Sequence, residues 1–238
     1  MRLPPDWRTR DVLDLPVAAI DVETTGLDPD RDWPIEIAVV TAPSLRQAWR
    51  STVVTQLLIR PPVPVSREAQ AIHGISDERL SVAGRDPRMV ARQVRSWIDG
   101  RLLVGHWLAF DLVMLRKALD PAIELMVETP VDTLALARRV APSSSHRLVD
   151  VAERCDVALL RPHRAADDAK AALGVARRVI LALRAAGEEA ITAADCWRIA
   201  CAEGPLADAK RGGAYWTRLL AMHREGASAA GGEDAVRA

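Results

Sequence analysis

Cysteine is scarce in this chain. Only Cys155, Cys196 and Cys201 occur in 238 residues, an odd count with no C-x-x-C spacing. That pattern argues against a disulfide framework and against a zinc site. Surplus charge is also missing, because 32 Lys and Arg balance 32 Asp and Glu. Tight, non-specific binding to long duplexes usually goes with a positive surplus. The balance points away from that behaviour, yet leaves room for a protein that grips a few phosphates through metal ions. No apolar run approaches the roughly 18 residues of a membrane span. The stretch MRLPPDWRTRDVLDLP has two early prolines and no apolar core of a signal peptide. A cytoplasmic location and no membrane partner are therefore expected. Lysine is limited to Lys117, Lys170 and Lys210, with arginine and alanine abundant, which reads as compositional bias without functional weight.

What remains is ordinary for a globular protein, with 49% hydrophobic and 27% charged residues. The length suits one domain plus an extension. Apolar runs predict strands at residues 17–20, 34–40 and 52–59, separated by turns rich in Gly26, Asp28, Pro29 and Pro43. Three strands in succession suggest an antiparallel meander. Helical spacing then predicts helices from Ser66 through 71, over 89–98, 110–119, 131–140 and 148–155, and a long one over 167–186. A buried strand is expected at 102–105. Gly187 ends the long helix. Beyond it, 190–202 and 214–223 read as helices, and 226–238 as a disordered Gly/Ala-rich tail. The expected organisation is a domain over 1–187, with its core at about 17–187, and a helical extension over 188–238. Strands followed by alternating strand and helix indicate an α/β or α+β domain with a mixed sheet.

Acidic residues stand at particular places in this pattern. Asp21 and Glu23 end the first strand, and alternation sends both to one face. Two close anions invite a cation, and hard oxygen ligands suit Mg²⁺ or Mn²⁺. The following Thr24, Thr25 and Gly26 offer backbone amides that can line a pocket for a terminal nucleotide. Asp111 opens the helix after the 102–105 strand. His163 precedes Asp168 by five residues, so a loop histidine can face a carboxylate on the first turn of the long helix and serve as general base. Taken singly, each has a bland explanation. D-x-E is a common strand end, Asp111 suits the helix dipole, and Asp167 or Asp168 can cap a helix. Phe110, the only phenylalanine, reads first as a core anchor.

Taken together, the stretches IDVETTGLDP with IEIAVV, EAQAIHGI, GHWLAFDLVML, VDTLALAR and HRAADDAKAAL resemble the DEDDh exonucleases. That family includes the proofreading epsilon subunits of DNA polymerase III, ribonuclease T and oligoribonuclease. The motifs occur in the family's order over residues 17–186. The resemblance implies an α/β, ribonuclease-H-like fold with a mixed five-stranded sheet flanked by helices. It implies two divalent cations, Mg²⁺ or Mn²⁺, held by Asp21, Glu23 and Asp168, with Asp21 bridging and Asp111 supporting the second ion. It implies His163 as general base, in place of the tyrosine of a sister branch. Glu68 and His73 match positions that contact the terminal nucleotide, and Thr24, Thr25, Gly26, His106 and Phe110 fall in the substrate-binding segments. Trp107 departs from the family, which usually has asparagine there. It either packs under its loop or offers a stacking face to a base.

The implied activity is 3′→5′ hydrolysis at single-stranded ends, with DNA favoured, releasing nucleoside monophosphates. RNA trimming is the alternative substrate reading, and a non-catalytic module of the same fold is the alternative class. Contacts with a polymerase or a second copy of the chain are open.

Overall fold

The computed structural model describes residues 3–118, 131–142, 144–188 and 190–203. Two short 3-10 turns, Trp7–Thr9 and Val12–Asp14, lead into β1 (Val17–Thr24). β2 (Pro34–Ala42) and β3 (Val53–Leu58) complete an antiparallel meander. Three helices follow: α1 (Arg67–His73), α2 (Asp77–Ala83) and α3 (Pro87–Ile98). β4 (Leu102–Gly105) then pairs parallel with β1, α4 (Leu108–Ala118) follows, and β5 (Val131–Asp132) pairs parallel with β4. The chain continues through α5 (Thr133–Val140), α6 (Leu148–Arg154), α7 (Ala165–Ala185) and α8 (Ala193–Glu203). The sheet order is β3-β2-β1-β4-β5. This is the expected mixed five-stranded sheet flanked by helices.

Alternation along the strands builds two cores. Val17 and Ala19 of β1, with Val40 and Ala42 of β2, face α7 and its neighbours. Ala18, Ile20 and Val22, with Ile37 and Val39, face α3 and α4. The central strands are buried on both sides, which is why they read as nearly unbroken apolar runs. β3 is an edge strand with Val53 and Val54 exposed.

Side chains in the sequence fix the helix starts. Ser66 accepts from the Ala69 amide ahead of α1, and Asp86 accepts from Arg88 with Pro87 in the first turn of α3. Gly74, at φ +71°, ends α1 in a conformation glycine adopts without strain.

Three features were not among the expectations. Residues 131–140 are a short strand and then a helix, because Asp132 both ends β5 and caps α5 by accepting from Leu134. The short helix α2 was not expected. The core also runs past residue 187: Ile191, Ala193 and Cys196 are buried with α7, Thr192 bridges to Asp11, and Arg184 pairs with Asp11 at 2.7 Å. α8 is thus part of the domain's own packing. The helix expected at 214–223 and the tail at 226–238 lie outside the described residues.

Candidate active site

The same alternation that packs Val17 and Ala19 against α7 carries Asp21 and Glu23 to that face at the strand's carboxyl end. α7 begins there, with Asp168 in its first turn. Asp21, Glu23 and Asp168 each offer a carboxylate oxygen, all within 4.8 Å of one another.

Asp111 arrives from the opposite layer. β4 pairs with β1 only as far as Ala19, so the β1 amides beyond that point lack a strand partner on this side. Asp111 supplies one: its Oδ1 accepts from the Val22 amide at 3.0 Å. One oxygen is thereby committed to the backbone and the carboxylate is fixed beside Asp21. Asp132, itself buried, accepts from Trp107 N at 3.2 Å and Leu134 N at 2.9 Å, which sets the turn that delivers α4.

The four carboxyls are mutually unfavourable as anions. Burial raises Asp21 well above the usual carboxylate range, and Asp111, Asp168, Glu23 and Glu36 add to it. Burial pushes Glu23 up to about 7, with Asp168 and Glu36 reinforcing and Arg164 opposing. Asp168 is pushed up to about 6 by burial, against the opposing charge of His163 and nearby backbone amides. Asp111 is raised by burial too, although the Val22 amide opposes this. Buried, all-oxygen, like-charged and convergent, this set fits hard divalent cations and gives them a strong electrostatic reason to bind.

His163 is exposed on the loop before α7 and has φ +63°. Outside glycine such a conformation is uncommon and marks a backbone held by its surroundings.

The residues expected to touch a nucleotide divide into two groups. Glu68 is exposed on the first turn of α1. The others are engaged within the protein. His73 is buried, its Nδ1 accepts from Ile75 N at 3.0 Å and its Nε2 lies 3.2 Å from Thr24 O. Since Nδ1 accepts, Nε2 bears the proton, and the ring ties α1 to the end of β1. His106 Nδ1 lies 2.9 Å from Thr133 Oγ1, and its Nε2 lies 2.8 Å from His146 O. Burial pushes it down to about 4. Thr25 is fully buried, donating to Asp32 Oδ1 at 2.9 Å and accepting from Trp33 N. Thr24 Oγ1 donates to Gly26 O. A Cβ on Gly26 would lie 2.5 Å from Asp32 Oδ2, a carboxylate pinned by Thr25 and by Asp28 N. Phe110 is buried in the core facing α3 and α4. The side chains of His73, His106 and Thr25 are thus held by hydrogen bonds within the protein, and Phe110 by the core.

Trp107 stacks on Phe110, with centroids 5.1 Å apart and planes at 17°, and packs against the same core. It holds φ +63°, a backbone conformation in which asparagine is among the better-tolerated residues. Trp107→Ala is expected to lower stability by about 2 kcal/mol with little change in KM. Thermal melts and steady-state kinetics check this, and a raised KM at unchanged melting temperature would reverse the assignment.

A convergent acidic cluster at the end of a central strand, fit for divalent cations, suits the metal-dependent phosphodiester chemistry of one class of enzyme. The exonuclease family model for RNase T matches residues 18–176, and the chain belongs to this family, the DEDDh class of 3′→5′ exonucleases. It is 32% identical over 175 residues to a PolC-type DNA polymerase III of Thermotoga maritima, covering 73% of this chain and 12% of that protein. It is 31% identical over 156 residues to the 3′-5′ exonuclease DinG of Staphylococcus haemolyticus, covering 64% of this chain and 17% of that one. The chain thus spans under a fifth of these relatives' length. Among solved structures, exonuclease X in complex with 5′ overhanging duplex DNA shares the fold at TM-score 0.56 and 23% identity, over 76% of this chain and 98% of that one.

Proposed function

We propose that this chain removes nucleotides one at a time from the 3′ end of single-stranded DNA by metal-dependent hydrolysis, releasing nucleoside monophosphates. The observation that carries the reading is the convergence of Asp21, Glu23 and Asp168 within 4.8 Å, beside Asp111 anchored on Val22. Asp21, Glu23 and Asp168 would hold one Mg²⁺ or Mn²⁺, and Asp21 with Asp111 a second. When bound, such a pair supplies activation of a water and charge stabilisation at the attacking and leaving oxygens.

The chain's own side chains do the rest. His163, on the exposed rim, takes the proton of the attacking water as the new P–O bond forms. The bond from phosphorus to the 3′ oxygen of the penultimate nucleotide breaks, and that oxygen leaves with the shortened strand. Glu68 faces the terminal sugar from α1, and the backbone of Thr24–Gly26, held by His73 and Asp32, shapes the pocket floor. The polymerase relatives and the DNA-bound structural neighbour support DNA over RNA. Among the described residues no helix is long and apolar enough to cross a membrane.

The test uses matched 5′-labelled DNA and RNA oligonucleotides with Mg²⁺ or Mn²⁺. A 3′-shortening ladder is expected on DNA, slower on RNA and absent with chelator. His163→Ala should lower kcat by about 10²- to 10⁴-fold. Faster digestion of RNA would reassign the substrate, and equal rates for His163→Ala and the parent would remove the base.

A further inference from the structure

Glu36 is fully buried, and both its carboxylate oxygens lack a hydrogen-bond partner. It stands directly opposite Glu23 in the β1–β2 register, so it shares the face that meets α7. Like charges so placed repel, and a buried carboxylate without a partner is costly. Beside it is Arg164, whose Nη2 lies 3.9 Å from Glu36 Oε1 with the side chain 29% exposed.

Arg164 is also the residue that follows His163. It occupies the cap position of α7, and its guanidinium lies beside Glu36 of β2. Its charge opposes the rise of Glu23 and reaches His73. On the other side of His163, Arg161 Nε donates to the buried Asp167 Oδ2 at 2.7 Å. The loop that presents His163 at φ +63° is thereby pinned at both ends. Such a backbone persists only where its surroundings over-determine it.

Resting on the reading of His163 as the general base, we infer that Glu36 and Arg164 are positioning residues for it. The buried carboxylate anchors the guanidinium, and the guanidinium fixes the backbone that aims the imidazole. Neither residue touches the substrate. Both act on the reaction through His163.

The experiment measures 3′ shortening of the labelled DNA oligonucleotide at saturating Mg²⁺. The variants are Glu36→Gln, Arg164→Gln, Arg164→Lys, the double Gln variant, and Arg164→Gln combined with His163→Ala. Each single Gln variant should lower kcat by ~10- to ~100-fold, the scale of a misplaced catalytic group, with KM within about twofold of the parent. Arg164→Lys should retain more activity than Arg164→Gln. The double Gln variant should be no worse than its poorer parent, because the two residues form one device. Arg164→Gln should add little once His163 is alanine. Arg164 is partly exposed, so its variants carry the test even where Glu36→Gln does not fold. Losses that multiply in the His163→Ala background, a rise in KM alone, or an unchanged rate for Arg164→Gln would overturn the inference. A His163→Ala protein as fast as the parent would instead remove the base itself, and the tether with it.

Discussion

Asp21→Asn is expected to lower exonuclease activity by about 10³-fold or more while making the metal-free protein more stable. The two effects share one cause. Asp21 stands where every neighbouring acid acts against its charge: Asp111, Asp168, Glu23 and Glu36 all raise it, on top of burial. A neutral amide of the same shape removes the centre of that repulsion. It also removes the ligand shared between the two proposed ion positions, and a 10³-fold loss corresponds to about 4 kcal/mol of transition-state stabilisation. Initial rates on labelled oligonucleotide give the first quantity and thermal melts in chelator the second. A variant within about tenfold of the parent rate would refute the site. So would one that melts lower in chelator, because the acids would then not be a strained group awaiting cations.

The second large effect is a pH dependence of stability that divalent ions abolish. A carboxyl with a raised pKa in the folded state is held more tightly by its proton there than in the unfolded chain. Below the unfolded value, both states are protonated and nothing is lost. As pH rises, the unfolded chain releases its proton first and folding becomes less favourable, until the folded carboxyl also ionises. For Glu23 this window runs from 4.5 to about 7, and for Asp168 from 3.8 to about 6. Glu23 alone represents about 3 kcal/mol of lost stability across its window, at 1.36 kcal/mol per unit. In chelator the melting temperature should therefore fall between about pH 4.5 and pH 7. In Mg²⁺ or Mn²⁺ the fall should flatten, since ions binding the folded state alone stabilise it. Melts at pH 5 and pH 7.5, with and without metal, decide the matter. A metal-free melting temperature that rises over this interval would contradict it.

The sequence displayed the convergent acids and concealed much of what holds them. Asp21 and Glu23 were readable because a strand's period of two is short and strict. β1, β2 and β4 were readable because strands buried on both sides must be apolar throughout. Asp111 and Asp168 emerged only from the order of several motifs, since an acid in a first helical turn has a sufficient local explanation. The inward roles of His73 and His106 were not readable at all. Their partners, Thr24 O and His146 O, lie 49 and 40 residues away, and no local pattern reports a contact of that kind. β5 escaped because two residues carry no periodicity. Glu36 was readable only as a structural or distant support, because a glutamate within an apolar run signals that something must offset it without saying what.

The route by which Asp111 reaches the site has a consequence during synthesis. Its carboxylate takes the place of a missing strand neighbour at Val22, 89 residues earlier in the chain, and Asp168 arrives 57 residues later still. A nascent chain that has emerged only as far as α4 holds three of the four acids but neither the last one nor His163. On the proposed site, cleavage therefore requires that α7 has docked and brought Asp168 and His163 to the end of β1.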